Sequence, residues 1–331
     1  MKDLFDKCQF GNFELNSRVL RTGIWETQKE EGGFLSNEVF QKYEDIAKSG
    51  VGAIISEMLI LDSRDRFNDY SVNINHKNFI KDYREINEIA HKYNVPVLGQ
   101  LAFFFYNDGL NQKVEANDIS LEGIRRLQAE IIMAVKKLSF AGFDGVQFNL
   151  GNNFYLSRFI NPYFNQRKDN YGGNTFNRLR IILEIIKIIK DNYDLHINCK
   201  INPIDVRKGG MTPEESLEIC KLLEEYGADS IQITARTISY VGDKESHPFI
   251  DFASRLSDEL NIPVVLGGTL RDSETINDIL NKTNVDFVSM SKPFVAQADF
   301  LSEWKLNGGG TAICQSCNNC YSKKTSTCFK Y

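Results

Sequence analysis

Four cysteines stand near one another at Cys314-x2-Cys317-x2-Cys320-x7-Cys328. Thiolates at such local spacing ligate [4Fe–4S] clusters, and four of them also make a tetrahedral zinc site. Reduced, metal-free thiols are the plain alternative. Two further pairs, Gly267-Gly268 and Ser291-Lys292, can cradle a phosphate between backbone N–H groups and one cation. A tight turn accounts for the glycine pair equally well. Asn149 and Asn152 are amides three residues apart; they can donate hydrogen bonds to a carbonyl or nitro oxygen, or simply cap a turn. Between these groups runs "NPYFNQRKDNYGGNTFNRLR", residues 161–180. It crowds polar, turn-forming side chains against the apolar run "IILEIIKIIK". A long loop with a capped helix start is the simple reading; a loop beside a bound cofactor is the sharper one.

Such groups need elements to hold them. Short apolar, β-branched runs at 19–22, 51–57, 95–101, 143–149, 196–202, 229–234, 262–268 and 286–291 read as parallel strands buried on both faces. Amphipathic stretches at 38–49, 78–93, 120–141, 175–192, 213–226, 249–260, 272–282 and near 296–305 read as the helices between them. Eight alternating pairs predict a (β/α)8 barrel, with a doubly wound open sheet as the alternative. No G-x-G-x-x-G opens a helix after a strand. The expected organisation is one barrel, 1–305, followed by a Cys-rich tail, 306–331, with "CQFGNFELNSR" as a hairpin closing the barrel's N-terminal end.

In such barrels the chemistry sits at the C-terminal ends of the strands. That singles out Thr22 to Trp25, Glu57, Gln100, Asn149 and Asn152, Lys200, Thr234, Gly267-Gly268 and Ser291-Lys292. Most are polar or glycine, which core packing alone does not predict.

Composition narrows the classes. A formal net charge of −5 gives no basic field for nucleic acid or anionic lipid. The N-terminal residues lack the apolar core of a secretory signal. No apolar run approaches the ~18 residues of a membrane span. The expectation is a cytoplasmic protein, in which clustered cysteines point to metal or redox chemistry before disulfides.

With these positions collected, the chain resembles the old yellow enzyme family of FMN-dependent NAD(P)H:flavin oxidoreductases. The most specific block is "FDGVQFNLGNNFYLSRFINPYFNQRKDNYGGNTFNRLR". It carries Asn149 and Asn152, Pro162, Asn165, Arg167, Asp169, Tyr171-Gly172-Gly173 and Asn177-Arg178 at the family's spacings. "NSRVLRTGIWE", "VLGQL", "VVLGGTLRDSE" and "VSMSKPF" resemble its first, third, seventh and eighth barrel strands. "CQSCNNC" followed by Cys328 resembles one subgroup's tail, and larger members carry a [4Fe–4S] cluster after the barrel. The resemblance implies FMN held by Thr22, Gly23, Trp25, Gln100, Lys200, Gly267, Gly268, Ser291 and Lys292. It also implies NAD(P)H as hydride source, and a small-molecule electron acceptor (activated alkene, quinone or nitro compound) above Asn149 and Asn152. A homo-oligomer is left open.

Departures from the pattern matter equally. Lys200 and Lys292 stand where the family has arginines, keeping the charge but losing the bidentate fork. Phe154 replaces a proton-donating tyrosine, leaving Tyr155 as the candidate for that role. "QLAFFFYND" replaces a polar motif with aromatics. Two rival readings remain: an FMN-binding protein with a degenerate substrate site, and a flavin-free phosphate-binding barrel isomerase or aldolase.

Overall fold

A hairpin comes first, β1 (Cys8–Phe10) paired antiparallel with β2 (Phe13–Leu15). Then follow β3 (Val19–Arg21), α1 (Asn37–Lys48), β4 (Ala53–Ile60), β5 (Val72–Asn73), α2 (Phe79–His91), β6 (Val97–Leu101), β7 (Tyr106–Asn107) and β8 (Lys113–Val114). The middle of the chain forms α3 (Leu121–Phe140), β9 (Gly145–Leu150), α4 (Tyr155–Ile160), α5 (Thr175–Asn192), β10 (His196–Ile201), α6 (Pro213–Glu225) and β11 (Ser230–Ile233). The rest is α7 (Ile250–Glu259), β12 (Val264–Gly267), α8 (Ser273–Lys282), β13 (Phe287–Met290), α9 (Lys292–Ala296), α10 (Phe300–Asn307) and α11 (Asn319–Ser322). The computed structural model describes residues 1–24, 35–65, 72–107, 113–205, 207–234, 249–322 and 328. Trp25, expected beside the cofactor, lies outside them.

The strands β3-β13-β12-β11-β10-β9-β6-β4 are neighbours in that order, and a β3–β4 pairing closes the ring. All these pairings are parallel. That excludes the open sheet. No helix among the described residues is long and apolar enough to cross a membrane.

Alternation along each strand builds two different environments. In β10, Ile197, Cys199 and Ile201 join the main apolar cluster under the helices. His196, Asn198 and Lys200 face the other way, into the barrel. The bottom of the interior is apolar: Leu20, Ala53, Ile55, Leu98, Val265 and Phe287 surround Phe10 and Leu15 of the hairpin. Phe10 stacks on His196 at 4.4 Å between ring centroids, so the hairpin plugs the lower end as expected. Burial pushes the His196 imidazole down to about 4.

Above that plug the interior turns polar. Gln147 Nε2 donates to Asn198 Oδ1 and to Gln232 Oε1, both at 2.6 Å. Asn198 Nδ2 donates to Ser230 Oγ at 2.7 Å, and Gln232 Nε2 to Ser289 Oγ at 2.8 Å. Buried amides are tolerated because neighbouring strands supply their partners.

The polar loop at 161–180 proves to be a clamp on the scaffold. Asn165 Nδ2 donates to the carbonyls of Phe159 and Tyr171 at 2.7 and 2.8 Å. Arg167 pairs with Asp169 and reaches the carbonyls of Ala116 and Ile119 ahead of α3. Arg178, 4% exposed, donates to the Ile160 and Gly173 carbonyls and pairs with Glu215 of α6 at 2.7 Å. Asn174 caps α5, its side chain accepting from Asn177 N at 2.8 Å. These bonds tie α3, α4, α5 and α6 together, as expected of a loop that braces the scaffold and starts the next helix.

Residues 2–4 settle on α8, and residues 311–312 on the segment just before it. Lys2 N donates to Asn281 Oδ1 at 2.8 Å and Leu4 N to Asn277 Oδ1 at 2.9 Å. After α10, Gly308 takes a left-handed φ of 72°, as helix C-caps favour. The chain then turns back: Thr311 bridges Asp272, and Ala312 N donates to the Arg271 carbonyl at 2.7 Å.

Candidate active site at the barrel mouth

Register brings the expected residues to one level. Asn149 of β9 and Gln232 of β11 flank Lys200 of β10 as direct cross-strand partners. Asn149 Nδ2 donates to Gln100 Oε1 at 2.9 Å. Gln100 is fixed in turn by Ser56, whose Oγ accepts from Gln100 N at 3.0 Å and whose carbonyl accepts from Gln100 Nε2 at 3.3 Å. Gly23 must lack a side chain here, because a Cβ would meet Gln100 Nε2 at 2.1 Å and the Ser56 carbonyl at 2.2 Å.

Lys200 is the electrostatic centre of the mouth. Its side chain is 5% exposed. Among the described residues Nζ donates one hydrogen bond, to Thr22 Oγ1 at 3.2 Å, and no carboxylate pairs with it. Thr22 Oγ1 also accepts from Gln232 Nε2 at 2.9 Å. Burial alone pushes the ammonium down to about 8. An ammonium with three donors and no anion is costly to bury. The donor set therefore fits a group carrying negative charge and carbonyl oxygens, as FMN does.

The other expected positions are more scattered. Asn152 takes a left-handed φ of 57°; its N–H donates to Asn202 Oδ1 at 3.2 Å, and its own Oδ1 is buried without a partner. Gly268 has φ 145° and its carbonyl accepts from Leu270 N at 2.6 Å, so a tight turn does form after β12. Ser291 is the N-cap of α9, and Lys292 Nζ donates to Asn318 Oδ1 of the tail at 3.1 Å.

One expectation needs correction, and a second residue sits deeper than expected. Glu57 does not face the mouth: its carboxylate accepts from Tyr43 of α1 at 2.6 Å and from Tyr83 of α2. An irregularity in the β4–β6 register, between Ile55 and Met58, lies where that turn occurs. Tyr155 sits in the main core cluster against Phe103, Tyr106 and Phe159. Burial drives its hydroxyl far above the usual phenol range, and that oxygen is buried without a hydrogen-bond partner among the described residues. Phe154 instead joins Met58, Ala102 and Phe104 in a separate apolar cluster.

Sequence reasoning missed Ser56 and Gln232. Each shares its strand with a second polar residue, Glu57 after Ser56 and Ser230 before Gln232, and only the structure shows which of them reach the mouth.

The cysteines gather around one feature. Cys314, Cys317, Cys320 and Cys328 all line a cavity of about 20 Å3 that also touches Lys292. Burial pushes the Cys320 thiol up, Lys292 opposing. As the side chains stand, no group of three or more His, Cys, Asp or Glu among the described residues is arranged to hold a metal ion.

Residues 103–307, more than half of the chain, match the model of the NADH:flavin oxidoreductase / NADH oxidase family. The chain belongs to that family. It is 25% identical over 350 aligned positions to an NADH oxidase of Thermoanaerobacter brockii, covering 96% of this chain and 53% of that one. The fold matches a 2-naphthoyl-CoA reductase complex with TM-score 0.85 and 18% identity, over 98% of this chain and 56% of the other. It also matches an old yellow enzyme homologue from Zymomonas mobilis with TM-score 0.79 and 19% identity, over 99% and 98%. The chain thus spans about half the length of the first two proteins and nearly all of the third. The family expected from the motifs and the barrel expected from the alternation are both found.

Proposed function

We propose that the chain is an FMN-dependent oxidoreductase that takes hydride from NAD(P)H and passes it to a small acceptor such as a quinone, nitro compound or activated alkene. The observation that carries this reading is Lys200, a buried cation that has no anionic partner among the described residues, at the mouth of a family barrel. FMN, when bound, supplies the hydride chemistry. Thr22, Gly23, Gln100 and Lys200 would hold its ring, and Gly267, Gly268, Ser291 and Lys292 its phosphate. Lys200 offers a positive charge where negative charge accumulates on reduction. Asn149 keeps Gln100 oriented, and the amides of Asn149 and Asn152 can donate to an oxygen of the nicotinamide or acceptor. An aldolase reading is weakened because Glu57, the acid at the mouth in sequence, is bonded to helix tyrosines.

The test is anaerobic titration of FMN-loaded protein with NADH and NADPH, following the flavin absorbance. Bleaching by either is expected. Protein that takes up no FMN would sink the proposal, and yellow protein that neither nucleotide bleaches would favour a degenerate flavoprotein.

The four cysteines add a second cofactor to the proposal, a [4Fe–4S] cluster or a zinc ion, supported by their common cavity. Anaerobic purification should give about four irons and four sulfides per chain, or about one zinc. Four titratable thiols with no metal would reduce the tail to a packing element.

A further inference from the structure

The amides inside the barrel form a ladder, and counting donors fixes its polarity. Asn198 of β10, Gln147 of β9 and Gln232 of β11 are fully buried. Turning an amide over exchanges its oxygen and nitrogen, so the three side chains have two consistent orders. In the first, Gln147 Nε2 donates to Asn198 Oδ1 and Gln232 Oε1, both at 2.6 Å, and Gln147 Oε1 is buried without a partner. Asn198 Nδ2 then donates to Ser230 Oγ, and Gln232 Nε2 to Thr22 Oγ1 at 2.9 Å and Ser289 Oγ at 2.8 Å. The second order reverses every amide, and Gln147 accepts from both neighbours while its own N–H groups are stranded. Buried N–H groups without partners are rarer in folded proteins than buried oxygens without them. One stranded oxygen is therefore preferred to a stranded pair of donors, and the first order stands.

That order reaches Thr22. Its Oγ1 accepts from Gln232 Nε2 and, at 3.2 Å, from Lys200 Nζ. A hydroxyl oxygen has two lone pairs, so both are filled and its hydrogen is left to donate. Among the described residues nothing accepts that hydrogen. Both N–H groups of Gln232 are spent within the protein, so any service it gives to a ligand passes through Thr22. Gly267 leaves room for this: a Cβ there would meet Ser289 Oγ at 2.7 Å and Gln232 Nε2 at 3.2 Å.

Resting on the oxidoreductase reading above, we propose that Gln232, oriented by Gln147, is a positioning residue that fills the second lone pair of Thr22 and so fixes the Thr22 hydroxyl as a hydrogen-bond donor to FMN. The glutamine is there to set a direction. An acceptor at position 232 would take the Thr22 hydrogen for itself.

Equilibrium dialysis of FMN-free protein against FMN tests this in two backgrounds, the parent and Thr22→Val. Gln232→Glu keeps the shape and still accepts from Gln147, but its second oxygen takes the hydrogens of Thr22 and Ser289. Its charge also acts on Lys200, and the Thr22→Val background measures that share alone. Gln232→Glu should cost about tenfold more FMN affinity in the parent than in Thr22→Val, the worth of one hydrogen bond to the ligand. The same excess should appear as a more negative flavin midpoint potential, because reduction adds the negative charge that a donor serves. Gln232→Met introduces no charge. It frees the hydroxyl among about three staggered positions, so it should cost about threefold in the parent and nothing in Thr22→Val. Equal losses in the two backgrounds, for whichever of these variants folds, overturn the inference alone. Parent protein that takes up no FMN overturns the oxidoreductase reading and this inference with it.

Discussion

Replacing Lys200 with methionine is expected to stabilise the FMN-free protein while weakening FMN binding about tenfold or more, the loss expected for a charge-assisted contact. Methionine keeps the length of the stem and removes the buried charge. The stability side follows from linkage. In the unfolded chain a lysine holds its proton to its model value of 10.5, whereas in the folded protein burial lowers Lys200 to about 8. Between those values the unfolded state binds more protons, so this group's contribution makes stability rise as pH climbs from about 8 to 10.5. Below about 8 the full penalty applies, on the order of 3 kcal/mol. The binding side has the opposite sign. FMN favours the ammonium, so affinity should hold below pH 8 and weaken above it, and that pH dependence should vanish in Lys200→Met. Urea denaturation of FMN-free protein across this range, with FMN titrations at the same pH values, checks both. A variant less stable than the parent and binding FMN equally well would show that Lys200 is a structural cation with an unseen partner.

The second large effect belongs to the amide pair. Asn149→Ala with Asn152→Ala should keep the protein yellow but slow flavin reduction by NAD(P)H between roughly tenfold and a hundredfold, as loss of two hydrogen bonds implies. A control is needed because Asn152 has a left-handed backbone that alanine tolerates poorly. Asn152→Asp keeps that tolerance and cannot donate an N–H, so it should reproduce part of the loss. Stopped-flow reduction separates this from cofactor loss. Parent-like rates in both half-reactions would leave the two asparagines as turn formers.

How much of this was legible beforehand differs by level. The barrel was, because buried parallel strands of four to eight residues separated by amphipathic helices leave few arrangements. Gln100 and Lys200 were visible as polar residues near strand ends. Glu57 shows the limit: it occupies the same kind of position, but a register irregularity turns it towards Tyr43 and Tyr83. A shift of one residue reverses a side chain's face, and no local pattern announces it. Tyr155 and Phe154 could not be told apart for a related reason, since neighbours at the start of a short helix point to different clusters. The residues most diagnostic of the family, Asn165, Arg167, Asp169 and Arg178, hold helices together. Their regular spacing reports the demands of the scaffold as much as those of the chemistry.

The seating of residues 2–4 on α8 bears on the order in which the molecule is assembled. Lys2 and Leu4 find their partners 279 and 273 positions later in the chain. Contacts of such separation carry a high loop-closure cost until the intervening structure has formed. On a ribosome the first residues have no partner at Asn277 and Asn281 until α8 has emerged, by which time β3 to β12 are already made. The hairpin that plugs the barrel lies just after those residues, so its final docking and the meeting of β3 with β13 belong to the same late step. Residues 2–4 thus wait for positions 277 and 281 before their partners exist.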